Sequence, residues 1–184
     1  RSCPSLDLLI NNAGVMACPL QRSASGWEWQ LAVNHIGHFL LTGELLPVLL
    51  RAPAPRVINL TSGGHQFCAL DLDDPHFIDR SYDKWLAYGQ SKTANIWHAL
   101  SLFERMGPRG LSAFAVHPGA VSTELGRHMS EAELESIGGG VDDAPKLVFK
   151  SIAQGAATTL WAATSATLAG RGGLYLEDCG VGLP

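Results

Sequence analysis

A tyrosine and a lysine four residues apart are the first groups in this sequence that could do acid/base chemistry. They are Tyr88 and Lys92 of the segment Y-G-Q-S-K. On a helix, a spacing of four places both side chains on one face. A phenol has an ordinary pKa of about 10, and a nearby ammonium favours its ionised form, so this pair could exchange a proton with a substrate near neutral pH. The same spacing also fits an ordinary solvated pair.

Small and polar residues follow three short apolar runs of the chain. The runs are Leu6–Ile10, Arg56–Thr61 and Leu111–His117, and the chain at their ends reads N-N-A-G, T-S-G-G and H-P-G. In an open parallel sheet, ligands bind beyond the carboxyl ends of the strands, and small residues there leave room for one. Gly and Asn also form tight turns after strands, so each motif alone is open to a purely structural interpretation.

The elements that would position these residues alternate along the chain. Three helices are predicted: one from Ser25 to about Leu50 that opens with a Ser25-x-x-Glu28 capping box, one over Lys84–Met106, and one over about Ile152–Thr164. A fourth apolar run, Gly172–Leu176, completes the predicted strands. The runs lack the alternation of a half-wet strand, which indicates an α/β fold in which helices cover both faces of a parallel sheet.

Two segments fall outside this alternation and are expected to be mobile loops. The first, Gly63–Asp83, is rich in Asp. The second is Pro118–Pro145, of which Ala120–Pro145 is expected to cap a substrate pocket.

The composition favours one globular domain, 1–184, and the widely separated cysteines favour a reduced, cytoplasmic-type protein. The chain has 184 residues, of which 46% are hydrophobic and 16% charged, and a net charge of −4. Its basic residues are scattered, which argues against nucleic acid as a partner. No apolar run approaches the ~20 residues that span a bilayer.

The cysteines and histidines show no metal-binding pattern, and no metal is expected. The four cysteines are far apart and form no C-x-x-C pair. Histidines within or beside apolar stretches are expected to be hydrogen-bonded structural residues: His35, His38, His65, His98 and His117. A hydrolase triad of Ser62, His65 and Asp71 is disfavoured, because the strand end reads L-T-S-G-G and not G-x-S-x-G.

Five motifs in order resemble the short-chain dehydrogenases/reductases, and in particular their retinol-dehydrogenase-like branch. The motifs are L-I-N-N-A-G-V-M from Leu9, V-N-H-I-G-H-F from Val33, I-N-L-T-S from Ile58, Y-G-Q-S-K from Tyr88 and H-P-G-A-V-S-T-E-L from His117. The resemblance covers nearly the whole chain. It implies a three-layer, Rossmann-like, doubly wound parallel sheet and an enzyme that interconverts an alcohol and a ketone or aldehyde by hydride transfer with NADP or NAD.

The resemblance also implies catalytic roles for four residues. Tyr88 would be the general acid/base, and Lys92 would hold the nicotinamide ribose and lower the pKa of Tyr88. Ser62 would orient the substrate oxygen. Asn34 would anchor a water that passes protons onward from Lys92.

Further residues would contact the cofactor according to the same resemblance, together with Tyr88 and Lys92. Asn11, Ala13 and Gly14 would lie near its adenosine half, and four residues would lie at its nicotinamide end: Pro118, Gly119, Val121 and Thr123. Asn11 equally fits a structural role in which its amide ties neighbouring strands together.

A glycine-rich turn of the G-x-G-x-x-G type, which binds the pyrophosphate, is not found in the sequence. In the family this turn precedes N-N-A-G, so the resemblance implies a partial domain that lacks the N-terminal strands. The chain alone is then expected to bind little NADPH or NADH and, with an apolar strand edge bared, to associate or dissolve poorly. The resemblance thus allows a small-molecule oxidoreductase that could form a homo-oligomer. The alternative is a non-catalytic remnant that acts as a binding or association module.

Overall fold

The computed structural model describes residues 4–133 and 149–184, which form a five-stranded sheet with helices on both faces. The strands lie side by side in chain order: β1 (Leu8–Asn11), β2 (Arg56–Leu60), β3 (Ser112–His117), β4 (Leu174–Glu177) and β5 (Gly180–Val181). The first four are parallel, and β5 returns antiparallel to β4. The predicted parallel sheet is confirmed, and β5 is an addition that the sequence did not indicate.

Helices cover the two faces of this sheet unequally. The helical bounds are α1 (Trp29–Leu31), a π-helical stretch (Ala32–Ile36), α2 (Gly37–Leu49), α3 (Lys84–Met106), α4 (Ile152–Thr164) and the 3₁₀ helices Gly63–Phe67, Gly107–Arg109, Glu124–Gly126 and Ala166–Leu168. On one face, Leu49 of α2 and Leu102 of α3 pack against Val57 of β2. On the other, Ala162 of α4 packs against Ile58, the next residue of the same strand. Successive strand residues thus enter different cores, which confirms the predicted three-layer architecture.

Two of the predicted helices have the predicted bounds. Helix α3 spans Lys84–Met106, its first N–H groups are capped by the Asp83 side chain, and it ends at Gly107. Helix α4 spans Ile152–Thr164 behind a reciprocal capping box of Ser151 and Gln154. Both helices carry local start and stop signals, which is why their bounds can be read from the sequence.

The start of the first predicted helix was wrong. The Ser25-x-x-Glu28 capping box does not form, because Glu28 is itself the N-cap: its buried carboxylate accepts hydrogen bonds from the backbone N–H groups of Gln30 and Leu31. The helix therefore begins at Trp29 and changes to π-helical geometry over Ala32–Ile36 before α2. That change places Asn34 at an irregular turn inside a helix, where functional residues are frequently found.

The Asp-rich segment 63–83 contains no strand, as expected of a loop, but side-chain contacts within the segment hold its central part in place. The carboxylate of Asp74 accepts hydrogen bonds from the N–H groups of Ile78, Asp79 and Arg80. The Arg80 guanidinium lies 3.9 Å from the centre of the Phe77 ring. The second expected loop, with the predicted cap over the substrate pocket, falls partly on residues 134–148, outside the described residues.

Strand β1 forms one edge of the sheet in the described part of the chain. It pairs with β2 alone, and Ile10 is 37% exposed. The predicted tendency to associate stays a prediction. Within residues 4–133 and 149–184, no helix combines the length and the apolar character needed to cross a bilayer.

Candidate active site

The three polar strand ends lie together at one edge of the sheet. A Cβ placed on Gly14, after β1, would lie 3.2 Å from Asn34 Oδ1 and 3.8 Å from Lys92 Nζ. A Cβ on Gly63, after β2, would lie 3.7 Å from Nε2 of His117 at the end of β3. Parallel strands in register bring these ends to the same edge, so the sequence prediction that they converge is confirmed.

Tyr88 and Ser62 face each other across this edge. The Tyr88 side chain, from the second turn of α3, is buried, and the Ser62 hydroxyl lies near enough to its phenol to lower the phenol's pKa. The Tyr88 ring packs closely against Gly64, since a Cβ there would be 2.9 Å from Tyr88 Cε1. Ser62 Oγ also accepts a hydrogen bond of 3.1 Å from the Gly64 N–H. Two hydroxyl groups are therefore held close enough to touch one common substrate oxygen.

Lys92 lies one helical turn beyond Tyr88 and on the same side of α3. Its Nζ is 5.5 Å from the centre of the Tyr88 ring and donates a 3.2 Å hydrogen bond to the Leu60 carbonyl. An ammonium has three N–H groups, so two remain for other acceptors. Thr61 Oγ1 donates to the Lys92 carbonyl at 2.9 Å and ties this turn of α3 to the end of β2.

Burial favours the neutral form of both groups. It raises the pKa of Tyr88 to about 12, an effect that the hydrogen bond from Ser62 opposes. It lowers the pKa of Lys92 to about 8. Near neutral pH the phenol of the free protein is therefore protonated while Lys92 still carries its charge, which is the state of a proton donor with a cation beside it.

Asn34 is buried and its side chain is fully engaged by protein groups. Oδ1 accepts from Val15 N at 2.8 Å, and Nδ2 donates to Val15 O and Ser91 Oγ, both at 2.9 Å. The amide thus pairs with the backbone of Val15 as a neighbouring strand would, and it fixes the chain just after Gly14. The water-anchoring role predicted for Asn34 stays a prediction.

Asn95 joins the site although the sequence reasoning missed it. Its Nδ2 donates to the carbonyl oxygens of Asn34 at 2.9 Å and Leu60 at 3.0 Å. Leu60 O is the same atom that accepts from Lys92 Nζ. Asn95 follows Lys92 by three residues, so its position on the same face of α3 was the signal that could have identified it.

The predicted cofactor contacts fall into two groups around these side chains. Asn11 ties elements together, as its alternative reading proposed: Nδ2 donates to Thr42 Oγ1 at 3.0 Å and to Asn59 Oδ1 at 2.8 Å. Ala13 and Gly14 belong to the β1 end, and the second group lies in the segment Pro118–Thr123, here called the β3 loop. In it, Gly119 has a left-handed φ of 84°, and Thr123 Oγ1 caps the short helix Glu124–Gly126.

Each of the five histidines singled out in the sequence has at least one hydrogen-bond partner, as expected, although Nε2 of His65 is buried without one. His35 contacts Asn95, and His98 contacts Asn59. Among the residues that the structure describes, no three or more His, Cys, Asp or Glu side chains are arranged to hold a metal ion.

Comparisons with known proteins agree with this geometry. A family model described as short chain dehydrogenase matches residues 1–70. The short-chain dehydrogenase/reductase prx1 of Penicillium roqueforti is 43% identical over 178 residues, which are 95% of this chain and 52% of that protein. Retinol dehydrogenase 14 of Homo sapiens is 37% identical over 180 residues, which are 96% of this chain and 52% of that protein.

A solved structure shares the fold. The Pseudomonas aeruginosa RhlG/NADP active-site complex matches with a TM-score of 0.69 at 24% identity, over 94% of this chain and 64% of that one. The present chain spans about half the length of the curated relatives it matches.

Proposed function

The chain belongs to the short-chain dehydrogenase/reductase family of oxidoreductases, and on that premise we propose that it carries the proton-transfer site of an enzyme that interconverts an alcohol and a ketone or aldehyde. The observation that carries the proposal is the meeting of three groups: the Tyr88 phenol, the Ser62 hydroxyl beside it, and the Lys92 ammonium 5.5 Å from the centre of the Tyr88 ring. The substrate is a small molecule.

The residues present fit a nicotinamide dinucleotide. Lys92 uses one of its N–H groups on Leu60 O, which leaves two for the vicinal hydroxyls of a ribose. Gly14 borders the site without a side chain that would fill it, since a Cβ there would lie 3.8 Å from Lys92 Nζ. NADP is the first candidate, because the structurally similar RhlG complex contains it, and NAD is the alternative. When bound, the cofactor supplies or accepts the hydride.

Tyr88 and Ser62 then handle the proton and the oxygen. During reduction, the substrate oxygen gains negative charge as its carbon receives hydride. Ser62 donates a hydrogen bond to that oxygen, and the Tyr88 hydroxyl gives it the proton, so that an alcohol and a phenolate result. The Lys92 ammonium stabilises the phenolate, which regains its proton from solvent. Oxidation of the alcohol reverses these steps.

Replacing Tyr88 by Phe in the natural protein that carries this sequence tests the proposal. We expect turnover of alcohols and ketones to fall at least about 100-fold, because the proton donor is lost. The affinity for NADPH or NADH, measured by fluorescence titration, should remain nearly unchanged. Tyr82→Phe is the matched control, since the Tyr82 hydroxyl bonds to the Cys18 carbonyl, outside the site.

Turnover retained by Tyr88→Phe would remove Tyr88 from the mechanism. If the natural protein bound neither dinucleotide and turned over no alcohol or carbonyl compound, the result would support the alternative hypothesis, a non-catalytic binding module. A cytoplasmic location and self-association stay predictions.

A further inference from the structure

Lys150 forms hydrogen bonds to the β3 loop with both its backbone and its side chain. Its N–H donates to Ala120 O at 2.7 Å, and its carbonyl accepts from Ser122 N at 3.3 Å. Its Nζ donates to the Pro118 carbonyl at 3.2 Å. One residue therefore fixes the main chain of the loop at three points.

The Lys150 side chain also lies directly over Gly119. A Cβ on Gly119 would be 2.6 Å from Lys150 Nζ and 2.8 Å from Cε, distances that atoms do not adopt. Gly119 has a φ of 84°, which other residues adopt at a cost. The glycine thus allows the ammonium to reach the loop backbone, and any side chain there would displace it.

The far side of the Lys150 ammonium is held by the β4–β5 turn. Nζ forms a salt bridge with the Asp178 carboxylate. Asp178 and Cys179 make the two-residue turn with φ values of 45° and 55°, which cost roughly 1–2 kcal/mol each for residues other than glycine. The Cys179 N–H donates to Thr158 Oγ1 of α4 at 3.2 Å. Contacts from two other segments thus hold a left-handed turn in place and present its carboxylate to Lys150.

We infer that Lys150 and Asp178 form a positioning pair that fixes the β3 loop for the nicotinamide end of the cofactor. The inference rests on the proposed function, since the β3 loop is its predicted nicotinamide contact. Neither residue has to touch the cofactor. Asp178 holds the ammonium from one side, and the ammonium holds the Pro118 carbonyl on the other.

The exposure of the Lys150–Asp178 salt bridge makes it possible to distinguish a role in positioning the loop from a role in folding stability. The side chains of Lys150 and Asp178 are 26% and 78% exposed. Exposed ion pairs contribute about 0–1 kcal/mol to folding stability. Loss of the pair should therefore change the unfolding temperature little, whereas a loosened loop should weaken cofactor binding.

The test compares Lys150→Met, Lys150→Arg and Asp178→Asn in the natural protein. We expect Lys150→Met to raise the KM and Kd for the dinucleotide about 5- to 10-fold, with kcat at saturating cofactor changed less than about twofold. Arg keeps the charge and the donor, so Lys150→Arg should restore most of the affinity. Asp178→Asn should give a smaller increase. Lys84→Met is the control, because Lys84 forms a similarly exposed salt bridge with Glu133 away from the β3 loop.

A second measurement makes the result independent of turnover. Hydrogen exchange of the amides at positions 119–122 should accelerate in Lys150→Met and not in Lys84→Met. Equal cofactor affinity in wild type and Lys150→Met, or unchanged exchange at these amides, would overturn the inference. Absence of dinucleotide binding by the wild-type protein would contradict the proposed function instead, and the exchange result would still decide the role of Lys150.

Discussion

The two sides of the candidate cleft are held in different ways. On one side, Tyr88 and Lys92 are only 3% and 5% exposed and project from a single helix whose position is fixed by Thr61 and Asn95. On the other, the β3 loop is irregular backbone held by the main chain of Lys150 and by its ammonium, which pairs with the distant Asp178. The first side is set by regular secondary structure and the second by a long-range contact.

This difference suggests a division of roles. Proton transfer requires atoms placed to within a fraction of an ångström, which buried side chains on a helix and a strand end provide. Binding of a cofactor end tolerates more adjustment, and an exposed salt bridge suffices for it. Substitutions on the buried side should therefore reduce kcat strongly, and those on the loop side should alter affinity modestly.

Ser62→Ala tests the buried side of the cleft, and we expect it to cause a larger change in rate than the substitutions and pH changes considered below. Removing the hydroxyl beside the Tyr88 phenol takes away a donor to the substrate oxygen, and we expect kcat to fall about 100-fold or more. Ser62→Thr keeps the hydroxyl and should recover most of the rate. Steady-state kinetics at saturating cofactor measure both variants. If Ser62→Ala changed only KM, the proposed division between the two sides would be incorrect.

The pH dependence of carbonyl reduction should show the charge of Lys92. Burial lowers the pKa of Lys92 to about 8 and raises that of Tyr88 to about 12, so the ammonium is lost first as pH rises. Reduction should slow above pH 8 or so, by up to about tenfold per pH unit, because the developing phenolate loses its stabilising cation. Lys150→Met should leave the midpoint of this profile unchanged. A profile flat to pH 10 or so would contradict the role of Lys92.

The same contrast explains what could be predicted from sequence. The bounds of α3 follow from local signals, the Asp83 cap and the Gly107-Pro108 end, and with them the shared face of Tyr88 and Lys92. The convergence of Ser62 with Tyr88 follows from the rule that parallel strands end at one edge. These features depend on a few neighbouring residues or on general topology.

The features that could not be predicted depend on contacts between distant segments. In the β4–β5 turn, Asp178 suits a left-handed position, but Cys179 stands where such turns usually have glycine, so the sequence gives only a weak turn signal before β5. The π-helical stretch around Asn34 accompanies pairing of its amide with Val15, 19 residues earlier. Glu28 likewise caps the helix start from a buried position, an environment that the neighbouring residues in the sequence do not reveal.

Lys92→Met should stabilise the fold while it impairs turnover, and this is the smallest of the expected effects. Since the folded-state pKa of Lys92 is about 8, below its unfolded value of about 10.4, the unfolded chain binds more protons between these values. Wild-type stability should therefore rise with pH across that window, and below it the buried charge has its full cost. Removing the charge should raise the free energy of unfolding by about 1 kcal/mol or more at pH 7, and the gain should shrink as pH increases.

Urea denaturation at several pH values measures the free energy of unfolding. Lys150→Met is the control, because Lys150 is more exposed than Lys92 and its replacement should give no such gain in stability. If Lys92→Met were less stable than wild type, neighbouring groups would have to stabilise the ammonium in the folded protein. The rigidity of the buried side would then depend on that charge and not on packing.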